Sequence, residues 1–270
     1  MNWVSFFEHP DFCWPVIRRR TCDRILELFA GYLDMATRRG VALTWSHAFP
    51  RRDSFRSAAY RLRKKGLIVT KGVGDGAVSL ALAPAASDRL SPVHKPGRIW
   101  KRGWAGDWFL LVYDVPEANQ TYRNELRGFL RRMRMGRFQK SVWVSPWDIR
   151  PEFDDLVNAA GIRRYAELFR SRSVLGRSPL DIVEASWDME DLHQAQSWFI
   201  GVCRRNLDIL LSQRLDKADL EMLAREEMSA YVQVMEMDPL LPEELHPASY
   251  LGQDVVNIHQ TLIREVGSQL

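Results

Sequence analysis

The stretch from Arg51 to Leu82, RRDSFRSAAYRLRKKGLIVTKGVGDGAVSLAL, constrains the chain more than any other. Phe55, Ala59 and Leu62 recur at i, i+4 and i+7, which gives a helix one apolar stripe. Arg52, Arg56, Tyr60 and Arg63 fall on its other faces. Lys64 and Lys65 load its last turn with positive charge, and Gly66 suits the left-handed position that ends a helix. Residues 67–71 then predict a short strand, residues 72–76 (GVGDG) a turn, and residues 77–82 a returning strand. A cationic helix running into a β-hairpin predicts a winged helix-turn-helix, whose helix fits a major groove lined with phosphates. The plainer alternative is a solvated Arg-rich helix beside an ordinary hairpin. Reading helices touch base edges chiefly through their early residues. That makes Arg52, Ser54 and Arg56, with Tyr60, the candidate base readers. Arg51, Arg61, Arg63, Lys64, Lys65 and the wing residue Lys71 are the candidate phosphate contacts.

The charge distribution divides the chain. Residues 1–98 carry 17 Lys and Arg against 8 Asp and Glu, and residues 99–180 carry 15 against 9. Residues 181–270 reverse this, with 6 against 17, so the overall +4 conceals a basic front and an acidic tail. The front is expected to face a polyanion, and the tail to be repelled by it. With 46% apolar and 27% charged residues in 270, the chain is globular and long enough for two or three small domains. Cys13, Cys22 and Cys203 form no CxxC pair, which fits a reduced, cytoplasmic setting. No apolar run is long enough for a membrane span, and the first residues lack the pattern of a signal peptide. The opening MNWVSFFEHPDFCWP is instead rich in aromatics and is expected to dock, on the first domain or on a partner chain.

The expected fold class is α+β and multidomain. An N-terminal winged helix-turn-helix (1–83) is followed by a linker (84–103), a ferredoxin-like α/β sandwich (104–187) and an acidic C-terminal helical domain (188–270). In the first part, residues 17–39 predict a helix ended by Gly40, and residues 41–50 a short second helix and turn. Three prolines and two glycines mark the linker. In the central part, residues 108–114 predict a buried strand. Residues 122–135 predict a helix with Leu126, Phe129, Leu130 and Met133 inward and its arginines largely outward. Residues 138–145 predict a second strand, 152–160 a short helix, and 162–169 and 180–186 further strands, close to a β-α-β-β-α-β order. Helices are expected at about 188–212, 216–237 and 252–267, with a proline-rich loop from Asp238 to Pro247.

Enzyme signatures are missing from the sequence. The six histidines, His9, His47, His94, His193, His246 and His259, show neither HExxH nor zinc spacing. There is no GxSxG and no P-loop, and the glycines at 72, 74 and 76 sit in a hairpin rather than before a helix. No cofactor is called for. Trp143, Trp147, Trp187 and Trp198 suit core and interdomain packing; the alternative is a pocket for an aromatic acyl group. Arg123, Arg127, Arg131 and Arg164 are possible phosphate partners for such a ligand.

Three segments carry a family resemblance. They are RLRKKGLI (61–68), the pair WAGDWFLLVYDVPE (104–117) and FQKSVWVSP (138–146), and DPLLPEELHP (238–247). Together and in this order they resemble the PaaX family of bacterial transcriptional repressors. The resemblance implies a winged helix, a ferredoxin-like central domain and a C-terminal helical domain. It also implies a homodimer that binds a palindromic operator in double-stranded DNA and is released by an aryl- or acyl-CoA effector. Two places depart from the family pattern: Tyr250-Leu251-Gly252 stands where Trp-Pro-Gly is usual, and Met135-Gly136-Arg137-Phe138 where Gly-Phe-Gly is usual. A strand ending Tyr113-Asp114, an Arg-bearing helix and then Gln139-x-Ser141-Val142 is also similar to the small ferredoxin-like subunit of CRISPR spacer-acquisition complexes. That likeness implies Asp114 as a possible metal ligand in a nuclease, with Glu117 as its nearest candidate companion. Phosphodiester cleavage needs several oxygen ligands on the ion, so a regulator is the expected function. A nucleic-acid-binding scaffold or a metal-dependent nuclease is the alternative.

Overall fold

The computed structural model describes residues 2–7, 57, 60–73, 77–83, 95–116, 119–160 and 162–269. The chain divides into two compact units. One holds residues 96–193 and 238–250; the other holds residues 1–95, 194–237 and 251–270. The helices expected at 17–39 and 41–50, and most of the linker, lie outside the described residues.

The hairpin in the second of these units pairs β1 (Ile68–Val73) antiparallel with β2 (Ala77–Leu82), in register from Ile68 opposite Leu82 to Val73 opposite Ala77. The first strand therefore continues through Gly72 and Val73, which the sequence reading had given to the turn.

The unit of residues 96–193 opens with one helical turn, α1 (Gly97–Trp100), at the end of the stretch read as a linker; Trp100 is buried. Next come β3 (Trp108–Tyr113), α2 (Gln120–Arg132), β4 (Gly136–Gln139), β5 (Val142–Ser145), α3 (Arg150–Ala160) and β6 (Ala166–Ser171). The β-α-β-β-α-β order is present, with the sheet running β4-β5-β3-β6 and every neighbouring pair antiparallel. Residues 138–145, expected as one strand, are a hairpin with Lys140 and Ser141 at its turn. The 162–169 strand begins later than expected, after a 3₁₀ turn at Ile162–Arg164.

The expected strand at 180–186 is a helix, α4 (Pro179–Ser186). Ser178 accepts the Asp181 N–H while the Asp181 carboxylate accepts the Ser178 N–H, and proline occupies the first turn. This capping box nucleates a helix, and it outweighs the strand preference of the β-branched Ile182 and Val183.

Strand periodicity gives the sheet two apolar faces. Phe109, Leu111 and Tyr113 look toward Leu126 and Leu130 of α2 and Phe153 of α3. Trp108 and Val144, on the other face, pack with Ile182 and Val183 of α4 and with Leu241 and Leu245 of the 238–250 segment. Gly136 permits the close approach of the end of α4: a Cβ there would lie 2.6 Å from the Ser186 Cβ and 2.6 Å from the Trp187 ring.

The three C-terminal helices form as the sequence predicts, as α5 (Met189–Ser212), α6 (Lys217–Met237) and α7 (Gly252–Gln269). Asp188 and Asp216 cap the first two by accepting the N–H three residues on, at 3.1 and 2.8 Å. α6 and α7 pack against each other through buried apolar faces that include Met228, Met235, Leu262 and Val266. Among the described residues no helix is long and apolar enough to cross a membrane.

Candidate nucleic-acid interface

The described part of the basic helix is residue 57 and residues 60–64. Its end is built by hydrogen bonds that the sequence dictates. Gly66 takes a φ of +67°, its N–H donates to Arg63 at 2.9 Å, and the Leu67 N–H donates to Leu62 at 3.0 Å. This is the Schellman arrangement, and its apolar pair, Leu62 and Leu67, is buried. The chain leaves the helix directly into β1, and Ala83 after β2 returns to donate its N–H to Leu67 at 3.0 Å. Helix end and hairpin base are thus joined by main-chain bonds.

That geometry leaves the cationic side chains outward. Tyr60 is 58% exposed, and Arg61, Arg63, Lys64 and Lys65 are exposed, whereas Leu62 between them is 3% exposed. Ser57, helical and exposed, shares a face with Tyr60 and Arg61 by its i+3 and i+4 spacing; the sequence reading had not singled it out. Arg51, Arg52, Ser54 and Arg56 lie outside the described residues, as does the side chain of Lys71, whose backbone stands in β1 opposite Ser79.

The arginines proposed for a phosphate ligand in the central part separate into two kinds. Arg123 donates to the Val115 carbonyl, and Arg127 donates to the Tyr113 hydroxyl at 3.0 Å. Arg131 and Arg164 are exposed. An open groove along α2 is lined, among the described residues, by Thr121, Asn124, Glu125, Gly128 and Arg132. The four tryptophans have separate surroundings. Trp143 is buried in the core under α2 and α3. Trp147 lies under the Arg102 guanidinium at 5.8 Å, Trp187 donates to the Arg134 carbonyl at 3.1 Å, and Trp198 carries Arg205 at 5.3 Å.

Asp114 is exposed at the end of β3, with its backbone N–H donating to the Tyr165 carbonyl at 2.7 Å. Among the described residues no group of three or more His, Cys, Asp and Glu side chains could hold a metal ion, and Glu117 is outside them.

Sequence reasoning missed the buried polar groups. Asp238 is buried; it accepts from the Tyr250 hydroxyl and from the Leu240 N–H at 2.7 Å, and burial nevertheless pushes its carboxyl above the usual range. His259, read as an isolated histidine, lies 2.6 Å from the carboxylate of Glu227 and stacks on Tyr231 at 3.8 Å. Burial raises the Glu227 carboxyl and pushes the thiol of the buried Cys203 well up. A helical spacing that places Glu227 among Leu223, Ala224, Met228 and Tyr231 was the available signal.

Comparison with known proteins places these features. Residues 101–183 match the PaaX protein central Cas2-like domain. The chain is 25% identical over 221 residues to the transcriptional repressor PaaX of Escherichia coli, an alignment covering 76% of this chain and 67% of that protein. A solved structure of an uncharacterized protein from Mycobacterium tuberculosis is similar with a TM-score of 0.55 and 18% identity, covering 91% of this chain and 94% of that one. The structural likeness concerns the fold alone.

Proposed function

We propose that this chain, whose residues 101–183 match the PaaX central domain, is a PaaX-type sequence-specific DNA-binding transcriptional regulator rather than an enzyme. We read the segment from Arg51 to Leu82 as a winged helix-turn-helix and the β-α-β-β-α-β unit as a ferredoxin-like sandwich. One observation carries the DNA-binding reading. A helix ending in Arg61, Arg63, Lys64 and Lys65 is capped so that all four are exposed, and it runs at once into an antiparallel hairpin. Such a helix suits the major groove, and the hairpin then serves as the wing over the adjacent backbone.

In this reading two copies bind an inverted repeat. Arg52, Ser54 and Arg56 read base edges with Tyr60 beside them, and Arg51, Arg61, Arg63, Lys64, Lys65 and Lys71 hold phosphates. Repression ends when an aryl- or acyl-CoA effector binds the form of the dimer that fits the operator less well. The protein works where the DNA is, in the cytoplasm.

The test is selection of bound sequences from a random duplex pool, followed by titration of the selected duplex at two salt concentrations. The expected result is an inverted repeat bound at least ~10³-fold over random DNA, with half-sites about one helical turn apart or a multiple of it. Uniform binding to all sequences would overturn the reading. Addition of acyl-CoA thioesters to the preformed complex then tests the effector: release by an aryl-acyl-CoA and not by free CoA is expected.

A further inference from the structure

Residues 2–7 (NWVSFF) form no helix or strand, yet Trp3, Ser5 and Phe6 are buried, Phe6 completely. Helices α5 and α6 hold this segment largely by its main chain. Asn206 on α5, wholly buried, accepts the Val4 N–H at 2.7 Å and donates its amide to the Val4 carbonyl at 2.9 Å. A neighbouring β-strand would offer Val4 the same two bonds. Glu226 on α6 accepts the Ser5 hydroxyl at 2.8 Å and the Phe6 N–H at 3.2 Å. The Phe6 ring stands 5.6 Å from that of Phe199, which in turn lies 6.1 Å from Tyr231.

Two features set this apart from ordinary packing. The buried amide of Asn206 is satisfied by backbone 202 residues away, so both its donor and its acceptor are committed to the segment and would have to be taken up by water or by another chain on its departure. Recognition through main-chain groups also tolerates exchange: an extended peptide presenting a hydroxyl at the Ser5 position and an aromatic ring at the Phe6 position satisfies the same bonds.

We infer that α5 and α6 form a peptide-binding seat, and that Asn2–Phe7 is a releasable latch in it, on the segment that leads to the basic helix. The seat stands independently of the DNA-binding reading; the latch's effect on the operator rests on it.

The full-length chain carrying Trp3→Ala and Phe6→Ala weakens the resident occupant and keeps the seat. A fluorescein-labelled NWVSFF peptide should bind this variant saturably, and the wild-type chain at least ~10-fold more weakly. Adding Asn206→Leu, or replacing the peptide's phenylalanine that corresponds to Phe6 by alanine, should each cost at least ~10-fold. Absence of saturable binding, or binding indifferent to Asn206, overturns the seat. Hydrogen exchange provides a reading that needs no double variant. The Val4 and Phe6 amides should be protected in the wild-type chain, and in Asn206→Leu the Val4 amide should exchange faster while those of α6 and α7 do not. Fast exchange of both amides in the wild type overturns the proposal. Operator affinity is measured in parallel: a difference of at least ~3-fold between wild type and the double variant is expected, and equal affinity overturns the latch. A wild-type chain that binds no DNA at all would sink the regulator reading and leave the peptide result standing.

Discussion

Two regions of this chain are rich in positive charge, and they use it differently. Around residues 61–65, Arg61, Arg63, Lys64 and Lys65 are exposed on a helix end whose one apolar residue, Leu62, turns inward. In the unit of residues 96–193, Arg123, Arg127, Arg134 and Arg170 donate to the Val115 carbonyl, the Tyr113 hydroxyl, the Asp238 carbonyl and the Asp107 carboxylate. Charge counted along the sequence treats the two regions alike. The guanidinium fork suits fixed acceptors of the fold, and once so engaged an arginine is part of the structure rather than a surface for an anion. A basic segment becomes a candidate interface where its cationic side chains stand exposed, as at residues 61–65.

Breaking the engaged set should produce the largest effects, and on stability. Arg134 adopts a φ of +56° at the end of α2, where the Arg134 and Met135 N–H groups close the helix on Arg131 and Leu130. Its guanidinium reaches the carbonyl of the buried Asp238, tying α2 to the 238–250 segment. Arg134→Ala keeps the strained backbone and loses the charged bond, so denaturant unfolding should show a loss of about 2 kcal/mol. Arg134→Gly should lose roughly 1 kcal/mol less, because glycine accepts the left-handed conformation. Equal costs for the two variants would mean that the backbone strain is not felt.

Changing the exposed set should leave stability within about 0.5 kcal/mol and act on DNA instead. Lys64→Ala with Lys65→Ala should weaken binding to all duplexes alike and lower the slope of log affinity against log salt by about 2. A loss confined to the selected operator would move these lysines from phosphate contacts to base readers. An unchanged slope would remove them from the interface.

This contrast explains how far the sequence could be read. Periodicity located β2, the three C-terminal helices and the inward face of α2, because each rests on a local pattern of apolar residues. The resemblance drawn from Trp104–Glu117 and Phe138–Pro146 lies within or against residues 101–183, where the family match falls. What could not be read was decided by partners distant in sequence or by caps. The segment with Leu180, Ile182 and Val183 resembles a strand until Ser178 and Asp181 are recognised as a capping box. Nothing near Arg134 announces that Asp238 will lie beside it, and nothing near Val4 announces Asn206. Of the candidate site, the sequence pointed to Gly66 as the helix terminator, and the spacing put Tyr60 and Arg63 off the apolar stripe, where both are exposed.

Gly66 itself sharpens the comparison, since it aims the exposed set without carrying charge. Among the described residues, its chain neighbours apart, no atom lies within 4 Å of where its Cβ would be, so Gly66→Ala should cost only the left-handed conformation, about 1 kcal/mol. Thermal unfolding should register that loss. Operator affinity per folded molecule should stay within about 3-fold if the helix end still closes through Leu62 and Leu67. A much greater fall in affinity would mean that the cap sets the angle between helix and hairpin.

The smallest effects concern pH, and two buried carboxylates of the same unit should oppose each other. The hydrogen bond from Arg170 holds the Asp107 carboxyl below its ordinary value, with the charges of Arg170 and Arg172 adding to it. A group lowered in the folded state stabilises above its unfolded pKa, near 4, and that stabilisation fades as pH falls through the folded value. Arg170→Ala should therefore differ from wild type at pH 6 and converge with it in acid. Asp238 has the opposite sign, since burial raises its carboxyl despite the Tyr250 and Leu240 bonds. Its favourable contribution is present below the unfolded pKa and is lost as pH rises through the folded one. Asp238→Asn, which keeps an oxygen to accept from Leu240 and removes the ionisation, should gain on wild type as pH rises from 4 to 7. Denaturant titrations of both variants at pH 4, 5, 6 and 7 read the two slopes. Parallel behaviour of the pair would show that Arg170 does not set the ionisation of Asp107, or that Asp238 stays charged at little cost through its bonds to Tyr250 and Leu240.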